Sequence, residues 1–401
     1  MPEPARQTRN PDYWLLLTVV ALTISGLVMV FSASFAVSYH YYQTPYRFFV
    51  LQLVYAALGL VAMLVAARVD YRRWQKISLV FMVAALGLLV LVLAKGVEIN
   101  GARRWLYFGA LSVQPAEIMK LALVVYLADW LGRKGEEVKH VIYGFVPFAL
   151  LVGLIAGLIV RQPDFGTTTL VVLVAFGIFF VSGAHLIQLG LGSLFGGGVL
   201  AFLAVSAPYR AARFLGFWNP WESEIYRETG YQIRQALLAL GSGGITGLGF
   251  GFGRQKYFWL PMAHTDAIFA VIGEELGLIG CLAVIALFAF LAFRGYRIAA
   301  QAPDPFGFLL AAGITSWFVV QVLINLGGIT ATIPFTGIPL PFISYGGSSL
   351  VISLTGAGIL LSVSRQTHRL GRMKSAPVDL RWWHRGARIP RLGRRQSTAK
   401  R

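Results

Sequence analysis

Hydropathy divides the chain into long apolar runs separated by short polar breaks. An α-helix needs about 20 apolar residues to cross a bilayer, and ten stretches approach or meet that length. They fall near Trp14–Phe35, Phe48–Ala67, Ile77–Leu93, Pro115–Leu131, Val141–Ile159, Thr168–Val181, Leu186–Ser206, Asp266–Phe293, Gly307–Ile329 and Gly346–Ser364. The sixth is short, and Gly183, Gly190, Gly192 and Gly196–Gly198 blur its boundary with the seventh. The pattern predicts an all-α membrane protein, a polytopic bundle of about ten transmembrane helices. Between spans seven and eight, residues 208–264 are too many for a connector and predict a large outer loop, a length that is usually functional. Within that loop, Tyr231–Leu240 has the spacing of an amphipathic helix. The glycine-rich GSGGITGLGFGFGRQ that follows turns the chain back toward the membrane. No tandem repeat and no soluble domain interrupts the pattern.

Composition sharpens this picture. Of 401 residues, 57% are hydrophobic and 13% charged, where a soluble domain carries about 25% charged residues. A net charge of +18 invites a nucleic-acid reading, but the basic residues sit in short loops and one tail, as cytoplasmic ends and anionic lipid require. Arg68, Arg72, Arg73 and Lys76 follow span two; Arg133, Lys134 and Lys139 follow span four; Arg294 and Arg297 follow span eight. All fall on one side if both termini are cytoplasmic. The chain then divides into a cytoplasmic N-terminus (1–13), a membrane domain (14–364) and a basic cytoplasmic tail (365–401). The tail holds twelve Lys/Arg against Asp379. It reads either as a surface for membrane lipids or a partner, or as a disordered topogenic tail. A single cysteine, Cys281, excludes an intrachain disulfide and a cysteine metal cluster. The first apolar run is too long for the core of a signal peptide, so the first span is expected to be retained.

Ionisable groups at or inside a membrane span are costly, and each needs a reason. Glu117 and Lys120 are spaced i, i+3 and share one helix face; they form an ion pair that orients two helices or contacts a substrate. Asp164 in RQPDFGT caps the next helix or faces a cavity. Arg210 and Arg213 lie near Trp218–Trp221, where tryptophans act as interfacial anchors and arginines can hold phosphate. His264, Thr265 and Asp266 stand at the mouth of span eight, with Glu274 and Glu275 about two turns further along the same helix; Asp266 is an N-cap or the seat of the chemistry. PFTGIPLPFISYGGSSL, which contains Ser344 and Ser348, re-enters the membrane with a broken backbone that must line protein or a watery cavity. Spans four, six, eight and ten thus bring polar groups to one end, around an outward-open cavity.

NGARRWL, QPAEIMK, QPDFGT, FWNPW, GYQIRQ, HTDAIFAVIGEELG and GIPLPFISYGGSS occur in this order. Together they resemble the SEDS family (shape, elongation, division and sporulation proteins), typified by RodA and FtsW, over nearly the whole chain to about Arg365. FWNPW and the IGEE ending look closer to the division branch, while Ala267 departs from the expected Phe. The resemblance implies a ten-span peptidoglycan glycosyltransferase that polymerises lipid II at the outer face of the bacterial plasma membrane. It further implies Asp266 as the essential catalytic residue, with Glu117, Lys120 and Asp164 at the cavity. The implied partners are a class B penicillin-binding protein (a single-span transpeptidase) and divisome or elongasome proteins.

The implied chemistry suits these residues. A carboxylate can deprotonate a sugar 4-hydroxyl as it attacks the anomeric carbon of a second sugar. The departing polyprenyl diphosphate needs positive charge, for which Lys120, Arg210 and Arg213 are candidates, or a divalent cation (Mg or Mn), although no compact ligand motif is present. His264, Thr265, Ser344 and Ser348 complete the expected substrate-binding set. Two other classes compete. A lipid II flippase would use the buried charges as a path, although the polar clusters gather at outward ends rather than at a midplane site. A non-catalytic divisome scaffold would not need Asp266.

Overall fold

The computed structural model describes residues 10–99, 101–109, 111–205, 217, 221 and 227–366. Asp12 caps the first helix by accepting the Leu15 N–H (3.0 Å), and an apolar run sustains α1 over Tyr13–Tyr42. Helices α2 (Arg47–Arg68) and α3 (Arg72–Lys95) follow. A small antiparallel sheet comes next, in the order β1 (Val97–Ile99), β2 (Ala102–Phe108), β3 (Leu111–Val113). Proline in the first turn, where its missing N–H has no helical partner to lose, opens α4 (Pro115–Lys134). A 3₁₀ turn (Gly135–Lys139) and a π turn (Val141–Phe145) lead into α5 (Val146–Val160), then α6 (Phe165–Val181) and α7 (Leu186–Val205). The remaining helices are α8 (Arg227–Gly243), α9 (Ile268–Ala300), α10 (Pro305–Ile329) and α11 (Gly347–Arg365).

Seven helical stretches among the described residues are long and apolar enough to cross a membrane: α1, α2, α3, Val141–Val160, α9, α10 and α11. The shorter α6 and α7, and α4 with its five ionisable residues, complete the expected ten. Helices α10 and α11 form the centre, with 78% and 83% of their apolar stretches buried against 28% for α2 and α3. The outer helices instead expose Val61, Val80 and Val83, side chains suited to lipid. The basic residues that the charge pattern assigns to one side do gather at one end. Arg72 pairs with Asp304 (3.1 Å), Arg294 with Asp12, and Arg365 donates to the Ala67 carbonyl (3.1 Å). The sheet, Asp266 and the 330–346 loop occupy the other end.

Two features depart from the sequence reading. The first is the sheet, which lies between the third and fourth expected spans, where the hydropathy pattern predicts no strand. The second is that α9 breaks at Gly277 (φ 65°, ψ −163°). The freed backbone groups are taken up by the glycine-rich segment. Leu278 and Ile279 donate to the carbonyls of Gly244 (2.9 Å) and Ile245 (3.2 Å), and Leu248 and Gly249 donate to those of Glu274 and Glu275 (3.0 Å each). Broken backbone in a membrane protein persists only where such partners exist. The two glutamates complete the anchorage. Glu275 pairs with buried Lys256 (2.7 Å) and accepts from Ser32 (2.8 Å), and Glu274 accepts the Arg254 N–H (2.8 Å). The described part of the long outer segment is therefore packed into the bundle rather than free.

Candidate active site

Asp266 lies in the turn before α9. The first helical residue is Ile268, Ala267 is the N-cap, and no side chain caps the helix, so the N-cap reading of Asp266 fails. Its side chain is half-buried, and Oδ1 accepts the Thr265 hydroxyl (2.9 Å). Oδ2 faces Gly337, where an added Cβ would stand 3.3 Å away. Gly337 is exposed, with φ at +73°, a conformation that favours glycine.

Behind Asp266 lies a buried polar chain on α10 and α4. Asn325 Nδ2 donates to the carbonyls of Asp266 and Ile338 (2.8 Å each). One turn earlier, Gln321 Nε2 donates to the Pro339 carbonyl (2.8 Å). Gln321 Oε1 accepts from Lys120 Nζ (3.1 Å) and Trp317 Nε1 (2.7 Å). Lys120 stands 2.7 Å from Glu117 in an ion pair without hydrogen-bond geometry, and 5.2 Å above the Trp317 ring. Both charged side chains are only 3% exposed, and Lys120 has protein partners in Glu117, Gln321 and Trp317.

His264 packs its ring against Phe48 (4.8 Å) and Tyr345 (5.6 Å), and its carbonyl accepts the Tyr345 N–H (2.9 Å). Burial pushes the imidazole down to about 4, so it is neutral near pH 7. Burial likewise pushes the Tyr345 hydroxyl up to about 12. Asp164 both caps α6 through the Thr167 N–H (3.1 Å) and accepts from Gln114 Nε2 (3.3 Å), tying α6 to the entry of α4. Ser348 donates to the Ser112 carbonyl (2.9 Å) and accepts the Gln114 N–H (3.1 Å). Ser344 Oγ accepts the Leu340 N–H (2.8 Å). These two hydroxyls fasten backbone. Arg210 and Arg213 lie outside the described residues. Among the described residues no group of three or more His, Cys, Asp and Glu side chains could hold a metal ion. Gln321, Asn325 and Lys256 are the members that sequence reasoning missed. The available signal was a pair of amides four residues apart in an apolar span.

The family model described as "Cell cycle protein", for FtsW, RodA and SpoVE, matches residues 13–369. Stage V sporulation protein E of Bacillus subtilis is 44% identical over 361 residues, covering 89% of this chain and 97% of that protein. A protein of Geobacter metallireducens named "Probable peptidoglycan glycosyltransferase FtsW" is 41% identical over 380 residues, covering 93% and 98%. Among solved structures, one of a peptidoglycan synthase complex that coordinates polymerization and crosslinking superposes with a TM-score of 0.73 at 30% identity, covering 90% of this chain and 99% of that one. The rod shape determining protein RodA of Thermus thermophilus gives 0.67 at 30% identity, covering 90% and 98%. With ten membrane helices, the ordered motifs and this coverage in agreement, the chain belongs to the FtsW/RodA/SpoVE family of cell cycle proteins.

Proposed function

We propose that this protein is a peptidoglycan glycosyltransferase of septal wall synthesis. In this reading it polymerises lipid II at the outer face of the plasma membrane, with both termini cytoplasmic and Asp266 as general base. The observation that carries the reading is the Asp266 carboxylate, which faces a glycine at the outer end of the bundle while its backbone is held from below. The base accepts the proton of an acceptor sugar's 4-hydroxyl; the hydroxyl oxygen bonds to the donor's anomeric carbon as the bond to the polyprenyl diphosphate breaks. This single displacement inverts the anomeric centre. Arg210 and Arg213 supply positive charge to the leaving diphosphate. A single-span class B transpeptidase is the partner, in keeping with the synthase-complex neighbour.

The depth of the site supports an enzyme over a transporter. Seventeen residues separate Arg294, paired with Asp12 at the basic end, from the Gly277 break. At 1.5 Å per residue that is about 26 Å, close to the full hydrocarbon thickness of about 30 Å. In this reading Asp266, eleven residues beyond the break, lies toward the outer surface rather than at the midplane where transporter sites sit. The test uses purified protein with its cognate transpeptidase, fluorescent lipid II and a divalent cation. Glycan ladders from wild type and none from Asp266→Asn are expected. Ladders from both would remove the base assignment, and lipid II movement across vesicles without ladders would favour a flippase.

A further inference from the structure

We infer that Gln321 and Asn325 are positioning residues for the glycosyl transfer, and that Glu117 and Lys120 act through them rather than on substrate. The inference rests on Asp266 being the base. An amide inside a membrane bundle is costly unless hydrogen-bonded, and α10 carries two, four residues apart and therefore on one face. Neither amide donates to another helix. Gln321 and Asn325 donate to the successive carbonyls of Pro339 and Ile338, in a stretch without regular secondary structure. Asn325 is the hinge of the arrangement: one nitrogen, Nδ2, donates at 2.8 Å both to Ile338 and to the carbonyl of Asp266. The residue before Ile338 is Gly337, which faces the Asp266 carboxylate. A single nitrogen thus fixes the spacing between the base and the backbone above it.

The cost of this arrangement argues for its use. Asn325 Oδ1 is buried and takes no hydrogen bond among the described residues; a buried acceptor left unpaired is unfavourable, and an apolar residue would have packed the same face without it. The amide of Gln321 is in turn oriented from behind. Its Oε1 accepts from both Lys120 and Trp317, which turns the Nε2 toward Pro339. Lys120 itself is held by Glu117. The sequence of contacts runs from α4 through α10 to the loop over the base.

Misplacement of a reacting group by about 1 Å can cost about 100-fold in rate, so the expected signature lies in turnover. Full-length protein with its transpeptidase is assayed on fluorescent lipid II, alongside thermal denaturation. Asn325→Leu removes both donated bonds and the unpaired oxygen. Gln321→Glu keeps the acceptor for Lys120 and Trp317 but loses the donor to Pro339. Each is expected to lower kcat by about 10- to 100-fold per folded molecule, with KM within about threefold of wild type. If Asn325→Leu fails to accumulate, Asn325→Ser, too short to reach both carbonyls, is read in the same way. A raised KM at unchanged kcat would overturn the inference, as would a loss of activity that merely tracks the folded fraction. A dead Asp266→Asn beside a fully active Asn325→Leu would overturn only the positioning role. An active Asp266→Asn would overturn the base assignment beneath it.

Discussion

Glu117 and Lys120 hold two full charges 2.7 Å apart with 3% of each side chain exposed. In such a place the cost of desolvation is offset only while both partners are present. Lys120→Met and Glu117→Gln should each lower stability by about 3–5 kcal/mol, whereas the double substitution should recover much of that loss, since no uncompensated charge remains. Denaturation of the three variants in one detergent checks this. His264 makes a pH prediction. Its imidazole titrates at about 4 when folded and near 6.5 when free. Between those values the unfolded chain binds the proton and the native one does not, so stability is full above pH 6.5, falls as pH drops toward 4, and is level below. Each unit of separation corresponds to about 1.4 kcal/mol, which makes the decline a few kcal/mol. His264→Phe keeps an aromatic ring against Phe48 and Tyr345 and should flatten melting temperature between pH 6.5 and 4; an unchanged slope would assign it elsewhere. Asp266 was visible in the sequence because a carboxylate at the mouth of an apolar span demands an explanation. Asn325 and Gln321 were not, because neutral amides raise no such alarm. Lys256 was silent for another reason: its role depends on Ser32, which sits 224 residues away.

At the scale of elements, hydropathy located the helices to within a few residues where burial is uniform, as at α2 (Phe48–Ala67 expected, Arg47–Arg68 found). It missed the sheet because β1 and β3 have only three residues each, and the seven of β2, Ala-Arg-Arg-Trp-Leu-Tyr-Phe, show no apolar–polar alternation. It missed the break in α9 because a lone glycine does not by itself end a helix, and the partners that satisfy the broken backbone come from Gly244–Gly249, some thirty residues earlier. Once the partners are known, the break makes a sharp prediction. Gly277 has φ at +65°, and a Cβ there would stand 2.3 Å from the Gly247 nitrogen and 2.5 Å from the Ile245 oxygen. Both obstacles are backbone and cannot rotate away. Gly277→Ala should therefore combine left-handed strain of order 1–3 kcal/mol with expulsion of the glycine-rich segment. The expected result is a protein that inserts but melts well below wild type, with faster proteolysis between Gly244 and Lys256. A wild-type melting temperature and protease pattern would mean that α9 is built otherwise.

For the whole molecule, orientation is the property on which the functional reading turns. Among the described residues, Arg72, Arg294 and Arg365 meet at one end through contacts with Asp304, Asp12 and Ala67. In the proposed orientation, with basic loops kept in the cytoplasm, that end is the inner one, and Asp266 with the sheet is at the outer one. The single cysteine makes the test clean, since Cys281 is buried and should react little in the folded protein. Arg103 in β2 has a half-exposed side chain at the sheet end. Glu136, in the turn after α4, is 88% exposed at the basic end. In intact cells with a permeable outer boundary, a membrane-impermeant maleimide should label Arg103→Cys and leave Glu136→Cys unlabelled until the membrane is lysed. The reverse pattern would put Asp266 in the cytoplasm, facing away from the wall. Polymerisation at the outer face would then be untenable, even if every contact around the carboxylate were as described.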